Sequence, residues 1–346
     1  MKMTGVDVVG LNLVYINNEM YHTTSFGRSS AGIRIILISM KPKAKAGRTR
    51  TPASRLRPVA GHHNQRLKEL RLAFRSAELT ARGECAIEGV KLLEEALRSG
   101  RHLETVFFSE AARPLAEKLL PRININLNIN ARTETLVVPN ALFNSIVPSD
   151  APQGVAALVK FGTFSAAQLL DRSTDGPFVV AAGLQDPGNL GTILRSAEAF
   201  GAAGVFLTEG TVSPYNSKVL RGSAGSIFRL PFLRISSAEL IPLLRTRGVR
   251  LLATSSHQGT PLPQISWTLP LAIFIGNEGA GLSRELTRQM DETVAIPQAA
   301  QVESLNAGVA ASILLYEAAR NRKDSSQLSV PASQSMRRTA SLRTEN

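Results

Sequence analysis

Two polar, glycine-rich stretches constrain the fold of this chain more than any other feature of its sequence. Residues 185–191 read Gln-Asp-Pro-Gly-Asn-Leu-Gly, and residues 276–283 read Gly-Asn-Glu-Gly-Ala-Gly-Leu-Ser. Each stretch follows a short apolar segment typical of a buried strand and precedes a segment with helical periodicity. In open α/β sheets, ligands bind at this end of the strands. Two such stretches in one domain therefore predict one shared pocket.

Short apolar strands alternate with helices over the C-terminal half, beginning with a strand at Phe178 to Leu184. This alternation predicts an α/β fold with a mainly parallel sheet flanked by helices. A smaller α/β unit of roughly 90 residues precedes it, and its Ile/Asn alternation at Ile123 to Ile129 favours a weak strand. The predicted boundaries are an extension (1–61), a first domain (62–160), a linker (161–176), a second domain (177–321) and a tail (322–346).

The net charge is +13, and the basic excess lies in the flanks rather than in the two domains. Residues 41–71 hold ten Lys or Arg and one acid, residues 320–346 hold six and two, and residues 72–319 hold 21 and 22. Residues 41–60 lack apolar periodicity, which predicts disorder, as does the composition of the tail. A basic flank is suited to contact polyanions. A solvated tail without a partner is the equally weighted alternative.

The remaining composition excludes several classes of protein. Cys85 is the single cysteine, which excludes an intramolecular disulfide and a cysteine-based zinc cluster and fits a reducing cytoplasm. The five histidines have no ligand spacing, so we expect no metal. No apolar run approaches the roughly 20 residues of a membrane span, and the N-terminus lacks a signal-peptide pattern. The stretch before Met40 is expected to be either a start-site artefact or an unstructured extension.

The later glycine-rich stretch fails two familiar phosphate-binding patterns. Leu282 stands where a P-loop requires lysine, and the glycines are in the wrong order for a dinucleotide fingerprint. Glycine does allow a flat ligand to lie against backbone N–H and C=O groups. Glu278 within this stretch is either a buried functional acid or a solvated acid on a tight turn.

Two further polar residues lie near the predicted pocket. Ser304 stands at the start of the last long helix, where serine is a good N-cap, and it lacks the nearby histidine base that acyl transfer requires. Arg195 follows Asn189 on one helix, and we expect the two side chains to share a face. The alternative is an ordinary surface arginine.

Three motifs resemble the signature motifs of the SpoU/TrmH family, the SPOUT-class RNA ribose 2′-O-methyltransferases. They are Asn-Leu-Gly-x-x-x-Arg at 189–195, Gly-Asn-Glu-Gly-x-Gly-Leu-Ser at 276–283, and Ile-Pro at 296–297 followed by Ser-Leu-Asn at 304–306. Their order and spacing match the family over residues 178–320. The preceding unit, with Glu88-Gly89 and Gln153-Gly154, is similar to the family's N-terminal substrate-binding domain.

The resemblance implies a fold, an activity and an assembly. The domain at 177–321 would contain a deep trefoil knot, and the domain at 62–160 would have a ribosomal-protein-like RNA-binding fold. The protein would be a homodimer with active sites at its interface. It would transfer a methyl group from S-adenosylmethionine to a ribose 2′-hydroxyl of RNA, with 23S ribosomal RNA as the expected substrate. A tRNA-directed enzyme and a non-catalytic RNA-binding protein are the alternatives.

The resemblance also carries over individual residues. Arg195 matches the catalytic arginine, which we expect to orient groups and stabilise charge because arginine is a poor proton acceptor at neutral pH. The matching polar partners are Asn189, Glu278, Ser304 and Asn306. The cofactor loops would contribute Thr254, Ser255, Ser256, Ile275, Gly276, Asn277, Gly279, Gly281, Ile296, Pro297, Ser304, Leu305 and Asn306. Contacts with RNA are expected at Glu88, Gln153, Lys218 and Arg221.

The third motif departs from the family pattern. Family members commonly continue Ile-Pro-Met-x-Gly, where this chain has Gln298, Ala299 and Ala300. Because alanine lacks the freedom of glycine at positive φ, Ala300 bears on the path of the cofactor loop. These changes remove no chemical group that the reaction needs.

Overall fold

The computed structural model describes residues 12–16, 19–23, 27–29, 32–34, 56–59, 61, 63–125, 133–256, 258–299, 301 and 303–322. The described strands before residue 52 belong to a unit of their own. In it, β1 (Asn12–Ile16) pairs antiparallel with β2 (Glu19–Thr23), and β3 (Gly27–Ser29) with β4 (Gly32–Arg34). Most of the extension predicted at 1–61 lies outside the described residues.

The first of two larger sheets has five strands. They are β5 (Arg57–Pro58), β6 (Glu84–Glu88), β7 (Leu103–Ser109), β8 (Glu134–Val138) and β9 (Val155–Lys160). In the order β5-β8-β7-β9-β6, the first three strands are parallel and β9 is antiparallel to both neighbours. The helices of this part are α1 (Gln65–Ser76), α2 (Val90–Arg98), α3 (Arg113–Ile125) and α4 (Asn140–Asn144).

Two elements of this first part differ from the sequence-based expectation. Strand β5 lies within the segment predicted to be disordered, and it is held by the Val59 N–H, which donates to Val137 O at 2.9 Å. Pro58 is tolerated because β5 is an edge strand. Ile123 belongs to helix α3 and is buried, so the predicted strand is wrong there. The helical spacing of buried Ala116, Leu119, Leu120 and Ile123 outweighs the short Ile/Asn alternation.

The second sheet has seven strands, and every neighbouring pair is parallel. They are β10 (Phe178–Ala181), β11 (Gly204–Leu207), β12 (Phe232–Arg234), β13 (Arg250–Ser255), β14 (Thr260–Pro261), β15 (Leu271–Ile275) and β16 (Glu292–Ala295). Their order is β12-β11-β10-β15-β13-β16-β14. The helices are α5 (Ala166–Leu170), α6 (Pro187–Ala199), α7 (Ser217–Gly222), α8 (Ser237–Thr246), α9 (Arg284–Thr287) and α10 (Ala307–Arg320). The mainly parallel sheet predicted from the sequence is confirmed.

The sheet order explains why the two glycine-rich stretches meet. Strands β10 and β15 are apolar and buried along their whole length, as expected for central strands of a parallel sheet. They are direct neighbours although many residues separate them in the chain. The loops that follow them therefore leave the same edge of the sheet side by side. Helix α10 then packs against α6, which begins at the first of these loops.

Within residues 56–322, hydrogen bonds link the part of the chain that forms the first large sheet to the part that forms the second. Arg101 donates from Nε to Phe228 O at 2.8 Å, and Arg229 donates to Glu95 Oε2 at 2.9 Å. Gly225 has φ of 93°, and a Cβ there would lie 2.6 Å from Glu95 Cβ, so α2 closely approaches this turn.

Arg322, assigned to the tail in the sequence analysis, donates to the carbonyls of Gly201 at 2.9 Å and Asp175 at 3.1 Å. The ordered chain therefore extends at least to this residue.

Candidate active site

Asn277 organises the loop after β15. Its backbone exchanges hydrogen bonds with Gly281, with N···O distances of 3.0 and 2.9 Å. Its side-chain Oδ1 accepts from the N–H groups of Gly279 and Ala280, and its Nδ2 donates to Gly183 O at 3.0 Å. One asparagine thus closes the loop on itself and fastens it to the end of β10.

The glycines of this loop have different roles. A Cβ at Gly276 would lie 2.3 Å from the carbonyl carbon of Gly281 and 2.4 Å from the Leu282 nitrogen, so only glycine fits this backbone. Gly281 has φ of 66°, which favours glycine for a conformational reason. A Cβ at Gly279 would meet only Asn277 Oδ1, at 3.7 Å. Gly279 is therefore not required by the packing of the loop itself.

Glu278, Asn189 and Asn306 form one hydrogen-bonded chain across the three motifs. Asn306 donates from Nδ2 to Asn189 Oδ1 at 2.7 Å, and Asn189 donates from Nδ2 to Glu278 Oε1 at 3.0 Å. Glu278 also accepts the backbone N–H groups of Asp186 at 3.0 Å and Gln185 at 3.3 Å. Asn189 is buried, whereas Glu278 is largely exposed. The arrangement fixes both amides in one orientation.

The surroundings of Glu278 decide between the two interpretations of this acid. Partial burial opposes its ionisation, but the hydrogen bonds from Asn189 and from the backbone N–H groups of Asp186 and Gln185 outweigh burial and lower the pKa of Glu278. It is therefore neither deeply buried nor a freely solvated turn residue. It is an ionised acceptor that ties the two glycine-rich stretches together.

Asn306, not Ser304, caps helix α10. The helix begins at Ala307, and Asn306 Oδ1 accepts from the Val309 N–H at 3.2 Å. The N-cap predicted at Ser304 is wrong because asparagine is an equally strong cap and stands directly before the first helical residue. Ser304 instead lies at a cavity lined by the second and third motifs, whereas no residue of the first motif lines it.

This cavity has a volume of about 290 Å³, near the lower end of the roughly 300–1,000 Å³ usual for ligand pockets. Most of the residues assigned to the cofactor line it: Thr254, Ser255, Ser256, Ile275, Gly276, Asn277, Gly279, Gly281, Ile296, Ser304 and Leu305. Pro297 and Asn306 are not among its lining residues, although Asn306 is joined to it through the hydrogen-bonded chain. Glu278 lines it as well.

Six lining residues were not assigned to the site from the sequence, and two of them, Gln298 and Glu303, are polar. Gln298 is the residue that replaces the family's methionine, and that substitution was the signal that could have drawn attention to it. Apolar side chains of Ile275, Val294 and Leu314 complete the wall. The cavity therefore combines apolar surface with carboxylate, hydroxyl and amide groups.

Arg195 lies apart from this cavity. It is exposed on α6, while Asn189 on the same helix is buried. The expectation of a shared face is wrong because six residues correspond to about 600° of rotation, or 120° away from the first side chain. Its guanidinium has no hydrogen bond or ion pair within the described part of the chain. Arg195 is thus accessible to a group outside this cavity.

A second cavity, of about 310 Å³, is lined by residues from β6, α2 and α7 and from the loop before β9. Three residues expected to contact RNA line it, namely Glu88, Gln153 and Arg221, together with Lys91 and Ser149. Burial raises the pKa of Glu88, against the opposing hydrogen bond from Ser149 at 2.9 Å and the charge of Arg221. Lys218 is exposed on α7, on the same helix as Arg221, but does not line this cavity.

No group of three or more His, Cys, Asp or Glu side chains in the described ranges is placed to hold a metal ion. In the same part of the chain, no helix has the length and apolarity to cross a membrane.

Family models and similar proteins account for both parts of the chain. Residues 176–316 match the SpoU rRNA methylase family, and residues 64–157 match an MRM3-like substrate-binding domain. A 23S rRNA (guanosine(2553)-2′-O)-methyltransferase of Bacillus subtilis is 29% identical over 266 residues, which are 75% of this chain and 98% of that protein. An uncharacterized tRNA/rRNA methyltransferase of Synechocystis is 34% identical over 269 residues, covering 76% and 94%.

Solved structures agree with the sequence matches. The AdoMet-bound rRNA methyltransferase of Sinorhizobium meliloti superimposes with a TM-score of 0.65 at 28% identity, covering 77% of this chain and 98% of that one. The SpoU methyltransferase AviRb of Streptomyces viridochromogenes, in complex with AdoMet, superimposes with a TM-score of 0.63 at 30% identity. The chain that carries these motifs, this sheet and this cavity therefore belongs to the SpoU rRNA methylase family.

Proposed function

We propose that this protein transfers the methyl group of S-adenosylmethionine to a ribose 2′-hydroxyl of RNA. One observation carries the proposal: the second and third family motifs line a single cavity, and the Asn306–Asn189–Glu278 chain of hydrogen bonds ties the first motif to them. The AdoMet complexes of the similar rRNA methyltransferase and of AviRb support the same cofactor. A protein that only binds RNA would need no such cavity.

The residues of the cavity fit S-adenosylmethionine. Ile275, Val294 and Leu314 offer apolar surface to an adenine ring, and the carboxylates of Glu278 and Glu303 suit a ligand that carries a sulfonium and an ammonium. The cofactor would supply an activated methyl group, and Gly276, Gly279, Ser304 and Leu305 would hold it. The chain's own task is to position the 2′-hydroxyl, which is a weak nucleophile.

Gly279 provides a direct test of this assignment. Gly279→Val should fold, because a Cβ there meets only Asn277 Oδ1 at 3.7 Å. The branched side chain would occupy part of the cavity, so we expect at least tenfold weaker binding of S-adenosylmethionine, about 1.4 kcal/mol. Titration calorimetry measures this affinity, and a melting curve checks folding. Unchanged affinity in a folded variant would place the pocket elsewhere.

We further propose that the protein is a homodimer and that Arg195 acts at the interface. Val309 and Tyr316, seven residues apart on α10, are 46% and 51% exposed and lie on one face of the helix. Helix α10 packs against α6, which carries the exposed Arg195. An apolar face beside a cation that has no partner among the described residues suits a second copy whose active site receives that arginine.

Charges on this face should separate the two copies. The double variant Val309→Lys, Tyr316→Lys is expected to sediment as a single chain, because two desolvated ammonium groups would oppose association. Leu72→Lys is the matched control, since Leu72 is 64% exposed on α1 in the first sheet's part of the chain. Analytical ultracentrifugation distinguishes the outcomes. Equal mass for the double variant and the control would show that this face is not the interface.

We infer that the second sheet carries the family's trefoil knot. Strand β13 lies between β15 and β16, although β16 follows β15 in the chain. The loops after these three strands surround one cavity, and the segment that leaves β16 leads into α10, which packs against α6. Such interleaved strand order and shared loops support a knotted path, one of the rare exceptions to unknotted folds.

We assign RNA binding to the first domain (62–160), joined by the linker (161–176) to the methyltransferase domain (177–321). The cavity lined by Glu88, Gln153 and Arg221 supports this role, because Arg221 and Lys91 can contact phosphates while Glu88 and Gln153 can bond to base edges. Lys218 adds a further cation on α7. A ribosomal-protein-like fold for this domain is part of the same proposal, and the cytoplasm is the compartment in which the substrate is expected.

The basic flank is expected to strengthen RNA binding without sequence preference. Its residues Lys41, Lys43, Lys45, Arg48 and Arg50 lie outside the described residues. Deleting 1–51, which spares β5, should weaken RNA binding and make the affinity less dependent on salt, because fewer counterions are released. Filter binding over a salt series measures the slope. Replacing the five residues with glutamine is the length-matched control and should have the same effect; an unchanged slope in both would indicate a tail that is only solvated.

The substrate is expected to be 23S ribosomal RNA, with tRNA as the alternative. The Bacillus relative is named a 23S rRNA methyltransferase, whereas the Synechocystis relative is named for both RNA classes. A transcriptome-wide map of 2′-O-methylation in cells with and without this gene decides the matter. Loss of one ribosomal RNA mark supports the proposal, and loss confined to tRNA selects the alternative.

A further inference from the structure

One buried acceptor at the cofactor cavity has no partner. Among the side-chain atoms of the described residues, only Arg250 Nε and Gln298 Oε1 are buried without a hydrogen bond. Arg250 is occupied elsewhere through its guanidinium, which approaches Ser266 O and lies 3.8 Å from Glu292 Oε2. Gln298 lines the cavity, two residues after Ile296, which also lines it. An unpaired acceptor is costly for the protein, so this oxygen at the cavity wall is suited to accept from a donor on a bound ligand.

We propose that Gln298 Oε1 accepts a hydrogen bond from the 6-amino group of the cofactor's adenine, so that Gln298 determines specificity for the base of the cofactor. This inference rests on the proposed function, since it assumes an adenosyl ligand. It concerns a residue that stands where similar proteins commonly have methionine, a side chain that cannot act as a comparable acceptor.

Charge separates the adenine amino group from the cofactor's ammonium group, and apolar lining favours the aromatic ring over the hydroxyl-bearing ribose. The ammonium group of the cofactor's methionine part is cationic and suits the carboxylates of Glu278 and Glu303, which line the same cavity. Gln298 offers a neutral oxygen, and Val294, Ile296 and Leu305 nearby in the lining are apolar. A neutral amino group on a flat aromatic ring matches such a wall. The terminal torsion of glutamine is broad, so the amide can turn its oxygen toward the ring at little cost.

Removing the amino group and removing the amide should therefore have the same effect. The probes are S-adenosylhomocysteine and its analogue with hydrogen in place of the 6-amino group, each titrated into the full chain by calorimetry. Wild-type protein should prefer the amino form about tenfold. Gln298→Met should bind both forms alike, with S-adenosylhomocysteine about tenfold weaker than in the wild type. Ligand-free Gln298→Met should melt no lower than wild-type protein, because it removes an unsatisfied acceptor.

Gln301→Met is the matched control, because Gln301 is an exposed glutamine of the same loop. It should leave both affinities and the melting temperature unchanged. A full amino-group preference in Gln298→Met would overturn the inference, and so would a lower melting temperature with unchanged affinity, which marks a purely structural residue. Failure of wild-type protein to bind S-adenosylhomocysteine at all would instead overturn the proposed function and the inference with it.

Discussion

Replacing Arg195 with alanine is expected to lower methyl transfer by about 10²–10³-fold while leaving the affinity for S-adenosylmethionine nearly unchanged. The guanidinium lies outside the lining of the cofactor cavity and has no partner in the described part of its own chain. Its fixed positive charge would stabilise the alkoxide that develops as the 2′-hydroxyl attacks. Turnover of a saturating RNA substrate and calorimetric titration of the cofactor separate the two effects.

Arg288→Ala is the matched control for this experiment. Arg288 is likewise an exposed arginine of the methyltransferase domain, at the end of α9. Its loss should change neither turnover nor cofactor affinity. Near-normal turnover in Arg195→Ala would remove the arginine from catalysis, and a parallel loss of cofactor affinity would mean that it binds the ground state.

Gly276→Ala should weaken cofactor binding far more than the size of one added methyl group suggests. The added methyl would lie 2.3 Å from the carbonyl carbon of Gly281 and 2.4 Å from the nitrogen of Leu282, and both of these are backbone atoms. The loop must therefore shift, which separates Asn277 from the N–H groups that its side chain orders. We expect at least a hundredfold loss of affinity, about 2.7 kcal/mol, measured by calorimetry together with a melting curve.

Gly279→Ala provides the comparison, since it adds the same methyl group to the same loop without a close contact. Its affinity should fall much less than that of Gly276→Ala. Equal losses in the two variants would show that the methyl group acts by filling the cavity rather than by moving the backbone.

The location of both glycine-rich stretches at one edge of the sheet could be predicted from the sequence, because it depends on strand polarity alone. Their contact depends on the pairing of β10 with β15, which the sequence did not reveal. Apolar strands followed by helices give a parallel sheet, and the ends of parallel strands lie at one edge. The individual roles of Asn189, Glu278 and Asn306 required the structure. Which amide donates to which oxygen depends on loop paths that residue spacing does not encode.

Other features escaped the sequence for identifiable physical reasons. Arg195 is exposed because rotation along the helix places it on a different face from Asn189, and the order of residues in a motif does not show this directly. The cap of α10 was assigned to the wrong residue because Ser304 and Asn306, two residues apart, are both good capping residues. The unpaired oxygen of Gln298 is a property of its surroundings, and no local pattern reveals whether a buried amide is satisfied.

The central claim is that the cavity directs methyl transfer to a ribose oxygen of RNA. The most direct test incubates the purified protein with methyl-labelled S-adenosylmethionine and unmodified 23S ribosomal RNA, followed by digestion to nucleosides and mass spectrometry. We predict label in one 2′-O-methylnucleoside, abolished by Gly276→Ala and strongly reduced by Arg195→Ala. Label on a base, or equal labelling by wild-type protein and both variants, would contradict the account.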